Sequence, residues 1–271
     1  MTDNRSPLTI PDLLQMKARG ERIVTLTCYD ALFARLLDAS GVDILLVGDS
    51  VNQVLAAAET TLSATLEQML YHTRLVRRGS ERALVICDMP FLTYQVSKEE
   101  AIRNCGRVLA ETGCHGVKLE GGRPVVGTVR ALADVGIPVM GHLGLTPQSV
   151  HAIGGYRVQG RDARGAERLL DDAKALADAG AFAVVLELIP APLASQITKA
   201  LPIPTIGIGA GPACDGQVLV LHDMLGLNEG FNPKFLKRYA ALAEDVREAV
   251  KLFAAEVREG RYPGPEHSVA K

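Results

Sequence analysis

Short apolar runs and amphipathic stretches alternate along the chain, with a glycine at many of the joins. "ARLLDASG-VDILLVGD", "RVLAETG-CHGVKLEGG", "RALADVG-IPVMGHLG" and "ALADAG-AFAVVLELIP" share one order: helically spaced apolar positions, Gly, a strand-length apolar run, then a polar residue. Gly41, Gly113, Gly136 and Gly180 fall where a helix ends in a left-handed residue. Eight runs have the length and character of buried strands: 23–27, 44–47, 84–87, 116–119, 138–141, 183–186, 205–208 and 218–221. Helical patterns lie between them over 29–39, 65–77, 99–111, 125–133, 165–179 and 193–200. Only a short connection separates the seventh run from the eighth.

Eight alternating β and α units in about 250 residues predict an α/β protein, a (β/α)8 TIM barrel, forming a single domain over 1–271. The alternative, a doubly wound open sheet, requires a phosphate fingerprint after its first strand, and "TLTCYDALF" has none. An extra N-terminal helix over 9–19 is expected to close the bottom of the barrel. A helix from Pro233 to about Glu259 is long enough to pack outside the barrel or against a neighbouring subunit.

Composition narrows the class. With 48% hydrophobic residues and few aromatics, the core is aliphatic, as buried parallel sheets require. A net charge of -2 gives no nucleic-acid footprint. Apolar stretches break well before the roughly 18 residues of a membrane span, and the first residues contain no apolar signal region. Five cysteines without metal spacing suggest buried, reduced thiols and a cytoplasmic location.

The candidate chemistry sits where the apolar runs stop. In such a barrel the C-terminal strand ends face one pocket. Asp49 and Ser50 follow strand 2, and Asp88 follows strand 3. Strand 4 ends in "VKLEGG" with Lys118 and Glu120, strand 5 in "MGHLG" with His142, and strand 6 in "VVLELIP" with Glu187. Unpaired buried acids are unfavourable by several kcal/mol, so something positive should offset them. Mg²⁺ is the natural candidate, with Asp49, Asp88 and Glu120 in its inner and outer shells; the absence of a His/Cys cluster disfavours zinc. Each Asp could instead cap the next helix, the reading preferred for Asp30, and Asp223 is taken as structural. Lys118 and Glu120, two apart, point to one side of a strand and could be a structural ion pair. Glu187, set among apolar residues, suits a proton acceptor with a raised pKa; pairing with a nearby Arg is the alternative. His142 either orients Glu187, touches substrate or is structural.

Together "LVGDS", "CDMPF", "VKLEGG", "GHLGLTPQS", "GGYRVQGR", "VLELIP", "IGIGAG" and "YPGPEHS" resemble, in order, the ketopantoate hydroxymethyltransferase family, from about Leu13 to Ser268. The resemblance implies a Mg²⁺-dependent barrel of the phosphoenolpyruvate/pyruvate-binding type, usually a homodecamer. It implies transfer of a one-carbon unit from 5,10-methylenetetrahydrofolate to 3-methyl-2-oxobutanoate, giving 2-dehydropantoate. Family metal positions fall on Asp49, Asp88 and Glu120. Substrate positions fall on Asp49, Ser50, Asp88 and Lys118, and the proton acceptor on Glu187. The chain departs from the family in the loop "VNQVLAAAETTLSAT": Asn52-Gln53 replaces Gly-Met, Ala57 or a neighbour replaces a Gly, and Ala64 replaces a Pro. Losing the Gly removes easy access to positive φ. The tail "EHSVAK" lacks the usual Phe. Competing readings are a Mg²⁺-dependent 2-oxo acid lyase or mutase of the same barrel superfamily, and a non-catalytic small-molecule-binding barrel. A lyase of the isocitrate lyase type would carry a cysteine loop like "KKCGH", which does not occur here.

Overall fold

The computed structural model describes residues 6–269. Its first elements are α1 (Ile10–Arg19), β1 (Ile23–Thr27), α2 (Ala31–Ala39), β2 (Ile44–Val47), α3 (Val51–Val54), α4 (Leu66–Gly79) and β3 (Leu84–Asp88). Next come α5 (Lys98–Thr112), β4 (Gly116–Glu120), α6 (Arg123–Asp134), β5 (Val139–Gly144), α7 (Val150–Ile153) and α8 (Ala163–Asp178). The last are β6 (Ala183–Glu187), α9 (Ala191–Ala200), β7 (Thr205–Ile208), β8 (Gly216–Leu219), α10 (Leu221–Met224) and α11 (Leu242–Arg258). The eight strands pair in parallel, in chain order, and β8 closes on β1. The chain divides into two compact units, one ending at Val220 and the other beginning at Leu221.

Local chemistry explains the boundaries. Thr9 and Asp12 bond reciprocally at the start of α1, and Thr65 and Gln68 do so at α4. Asp30 accepts from the backbone N–H groups of Leu32 and Phe33, so it caps α2 as expected. Gly41, Gly113, Gly136 and Gly180 all have positive φ after their helices.

The lower end of the barrel is apolar. Leu13 and Met16 of α1 share one core cluster with Ile23, Ile44, Leu84 and Ala183, the first residues of four strands. Burying a side chain such as Leu13 stabilises by roughly 1.5–3 kcal/mol. This helix closes the N-terminal end, as the sequence predicted. All five cysteines are buried and free.

The bounds of β8 and the start of α11 depart from expectation for reasons the structure shows. Strand β8 begins at Gly216, two residues before the predicted start, and Leu221 already belongs to α10. Gly216 pairs with Ile23, and a Cβ there would lie 2.4 Å from the Ile23 carbonyl oxygen. Glycine is thus the residue that close pairing needs, not a break in the strand. The link from β7 to β8 holds no helix. β7 is only four residues long, so the seven residues 209–215 can return the chain to the lower end. Asp215 fixes this return by accepting from the Thr205 N–H at 2.8 Å and from Lys17 Nζ at 2.8 Å.

In the second unit, the helix predicted from Pro233 begins only at Leu242. The N–H groups of Tyr239 and Leu242 donate instead to the carbonyls of Met224 and Leu225. Arg238 meanwhile gathers the carbonyls of Asn228, Glu229 and Phe231. These bonds hold the segment in an irregular path until Ala241. Asp223 accepts from Asn228 Nδ2 at 3.0 Å, in line with its structural reading.

Candidate functional site

Strand register brings the site together. Asp88 pairs with Lys118, Glu120 with His142, and Gly144 with Glu187. Each acid is the last residue of its strand, one position beyond the apolar run read from sequence. The ladder fixes its backbone while its side chain meets the pocket at the C-terminal end. Asp49, Asp88, Lys118, Glu120 and His142 are buried; Ser50 and Glu187 are half-buried.

Close backbone packing shapes this end. A Cβ on Gly48 would sit 2.7 Å from Ser50 Oγ, so the "VGDS" turn requires glycine there. At Gly144, φ is +92° and a Cβ would fall 2.1 Å from the Glu187 carbonyl oxygen. This glycine lets the ends of β5 and β6 approach.

The polar contacts form a connected set. The Asp49 N–H donates to Asp88 Oδ2 at 3.2 Å. Lys118 Nζ lies 3.2 Å from Asp88 Oδ1 and 2.9 Å from His142 Nδ1. Lysine has donors and no acceptor, so a Lys118–His142 hydrogen bond requires Nδ1 as acceptor and leaves the proton of a neutral ring on Nε2. That nitrogen is 3.1 Å from Glu187 Oε2. Lys118, His142 and Glu187 therefore form a line, with His142 beside the proposed proton acceptor. Ser50 Oγ is 2.8 Å from the hydroxyl of Tyr29.

Burial controls the charges. It pushes the Asp49 carboxyl up to about 8, helped by the neighbouring charges of Asp88 and Glu120. It also raises Asp88, against the opposing pull of the Lys118 ammonium. Burial pulls Lys118 down, but Asp88, Glu120 and Asp49 outweigh it, and the ammonium is held well above its ordinary range. For Glu120, burial is outweighed by His142, Lys118 and the Gln148 N–H, and its carboxyl is lowered. Three carboxylates thus share one lysine.

Three contributors were not among the residues singled out in the sequence. Tyr29 stood at the start of a predicted helix. Tyr94 and Gln148 are neutral residues in loops, where no charge marks them. Gln148 lies within "GHLGLTPQS", so the motif was visible although the residue's contacts were not.

Residues 7–265 match the family described as ketopantoate hydroxymethyltransferase. The chain belongs to that family. It is 56% identical to a 3-methyl-2-oxobutanoate hydroxymethyltransferase of Pelobacter propionicus over 268 residues, covering 99% of each chain. A protein of the same name from Moorella thermoacetica is 54% identical over 264 residues, covering 97% of this chain and 98% of that one. Among solved structures, phosphoenolpyruvate phosphomutase from Streptomyces platensis subsp. rosaceus superposes with a TM-score of 0.62 at 16% identity. That match covers 97% of this chain and 92% of the other. A 2,3-dimethylmalate lyase of the PEP mutase/isocitrate lyase superfamily gives 0.59 at 17% identity, with 96% and 93% covered. These two likenesses establish the shared barrel. The lyase, mutase and non-catalytic readings are not favoured beside the family membership.

The family implies a divalent cation. Among the described residues, no three His, Cys, Asp or Glu side chains are gathered into a ready-made ion cage. Mg²⁺ does not need one, since it commonly takes one or two carboxylates and completes its shell with water and substrate oxygens. Two features fit such an ion. Asp88 Oδ1 is buried with no well-directed hydrogen bond among the described residues, the Lys118 ammonium standing 3.2 Å away, and the acids outnumber that single ammonium. Asp49 and Asp88, adjacent through the Asp49 N–H, fit direct contact with the ion. Glu120, held by the Gln148 N–H at 3.0 Å, fits an outer position.

Proposed function

We propose that this protein transfers a hydroxymethyl group from 5,10-methylenetetrahydrofolate to 3-methyl-2-oxobutanoate, forming 2-dehydropantoate for pantothenate synthesis. Asp49 and Asp88 would hold Mg²⁺, with Glu120 in support. When bound, the cation supplies Lewis acidity to the keto group of the substrate. Ser50, steadied by Tyr29, hydrogen-bonds the substrate carboxylate and sets its orientation. Asp49, Asp88 and Lys118 line the substrate position. Lys118 faces the keto oxygen and stabilises the negative charge that grows there as C3 loses its proton, without having to reorganise. Glu187 accepts that proton, with His142 Nε2 lying 3.1 Å from its carboxylate. C3 then bonds to the methylene carbon as that carbon's bond to one folate nitrogen breaks, the nitrogen taking up the proton that Glu187 received; water next displaces the second nitrogen. Water supplies the hydroxyl oxygen of the product, and tetrahydrofolate leaves.

The observation that carries this reading is the succession of close contacts Asp88–Lys118–His142–Glu187, at 3.2, 2.9 and 3.1 Å. It supports pairing a cationic donor for an enolate oxygen with a carboxylate base at one end of the barrel, in a chain from this family. The decisive experiment supplies purified protein with 3-methyl-2-oxobutanoate, methylenetetrahydrofolate and Mg²⁺. Folate-dependent formation of 2-dehydropantoate is expected, with Asp88→Ala losing the Mg²⁺ dependence. Substrate binding without turnover would instead support a binding protein.

The same reading extends to the setting. No helix among the described residues is long and apolar enough to cross a membrane. A cytoplasmic homo-oligomer, a decamer by its resemblance, is the form we propose. The exposed apolar positions of α11 support an interface between subunits.

A further inference from the structure

Gln148 touches more of the site's framework than any one of its acids. It lies in a short 3-10 turn (Pro147–Ser149) after β5, and it is buried. Its Nε2 donates to Asp49 Oδ2 at 3.0 Å and to the Met89 carbonyl at 2.9 Å. Its backbone N–H donates to Glu120 Oε2 at 3.0 Å. Its Oε1 accepts from the Tyr94 hydroxyl at 2.8 Å and from Gln95 Nε2 at 3.3 Å. The Tyr94 hydroxyl in turn accepts from the Glu120 N–H at 3.1 Å. One residue thereby joins the segments that follow β2, β3 and β5 to the end of β4.

We propose that Gln148 is a positioning residue that sets the Asp49 and Glu120 carboxylates for a divalent cation, with Tyr94 supporting its amide oxygen from the side away from Asp49. This rests on the metal-dependent reading above. An amide has two donors on nitrogen and an acceptor on oxygen. Reversing it would set Oε1 against two acceptors, the Asp49 carboxylate and the Met89 carbonyl. It would also turn the NH₂ groups of Gln148 and Gln95 on each other, and the Tyr94 hydroxyl would lose this acceptor and turn its proton to the Glu120 carbonyl 3.1 Å away. Only the observed orientation satisfies every partner. The amide commits one oxygen of Asp49 and leaves the other as that carboxylate's contribution to a cation.

Neutrality is the second part of the argument. A lysine or arginine at 148 would hold Asp49 equally well but would neutralise it and repel a cation. Glutamine supplies the hydrogen bond and leaves the negative charge available. Groups that hold metal ligands from behind commonly change metal affinity by about 10–100-fold when removed.

The test is Mn²⁺ binding to the substrate-free full-length protein, read by electron paramagnetic resonance, with Mg²⁺ competition. Gln148→Met keeps the length and removes both amide groups; Tyr94→Phe keeps the ring and removes the hydroxyl that donates to the amide oxygen. Gln148→Met is expected to weaken Mn²⁺ affinity at least about 10-fold. Tyr94→Phe should weaken it by a smaller factor in the same direction. The thermal midpoint in EDTA separates stability from metal affinity. A lowered midpoint with parental Mn²⁺ affinity in both variants overturns the proposal, because a structural role alone would do that. If Gln148→Met does not fold, Tyr94→Phe decides, and parental affinity there overturns it. Asp88→Ala is the control for the underlying reading. A parent that binds no Mn²⁺ sinks both proposals, whereas loss of binding in Asp88→Ala alone sinks only the role of Gln148.

Discussion

At the residue scale, charge balance in a buried pocket explains the chemistry. Glu187 lies 3.1 Å from a histidine nitrogen whose proton is directed by Lys118 on the other side of the ring. Glu187→Gln keeps the shape and removes the carboxylate proposed as the base. We expect turnover to fall by about 10²-fold or more while substrate affinity stays near parental. The direct check is deuterium exchange at substrate C3, which should slow in parallel. Exchange at the parental rate would remove Glu187 from the role of base. Much of this site was legible in the sequence because a carboxylate after an apolar run is conspicuous. Tyr94 and Gln148 escaped because neutral polar side chains are common in loops. Their contacts lie with partners up to 99 positions away, as in the Gln148–Asp49 bond.

At the element scale, the sequence speaks through local chemistry and falls silent where contacts are distant. The caps Thr9, Asp30 and Thr65 and the four left-handed glycines are local, and the helix boundaries they mark were legible to within a few residues. The start of β8 depends on Gly216 meeting Ile23, and the late start of α11 on carbonyls near residues 224 and 225. Neither contact has a signature in its own segment. The loop after β2 shows a consequence of substitution. Ala57 adopts φ +54°, the left-handed conformation that glycine enters freely. Ala57→Gly should stabilise the protein by about 1 kcal/mol, read from denaturant midpoints at constant slope. A loss of stability would show that the alanine's conformation is compensated elsewhere. A second prediction concerns the junction of β3 and β4. The Val85 N–H donates to His115 Nδ1 at 2.9 Å, while the His115 N–H donates to the Val85 carbonyl. Burial and the nearby Arg77 lower the His115 pKa from its ordinary 6.5, so the folded state favours neutral imidazole. The unfolded chain binds the proton first as pH falls. His115 therefore contributes stability above about pH 6.5 that is lost as pH drops through the folded value. His115→Asn offers an oxygen acceptor that does not titrate. Its thermal midpoint should fall less than the parent's between pH 7.5 and 5.5, and equal falls would assign the acid sensitivity to other groups.

At the scale of the whole molecule, the barrel separates stability from chemistry. Its lower end carries α1 and a continuous apolar cluster, while its upper end gathers charges that are unfavourable on their own. The second unit poses a different physical problem. No residue of α11 is buried, and Val246, Val250, Phe253 and Val257 are each about half exposed. Their spacing of four, three and four residues aligns them on one helical stripe. A stripe of this kind in water favours association, and a second copy of the chain is the partner that the proposed homo-oligomer supplies. Val246→Glu and Val250→Glu together place two charges on the stripe and leave Phe253 in contact with Tyr262, whose ring centroid is 5.4 Å away. Sedimentation velocity should show the parent as a large oligomer and the double variant as a smaller species. Circular dichroism should show the helix content unchanged. A double variant that keeps the parental mass would place the subunit interface elsewhere on the barrel.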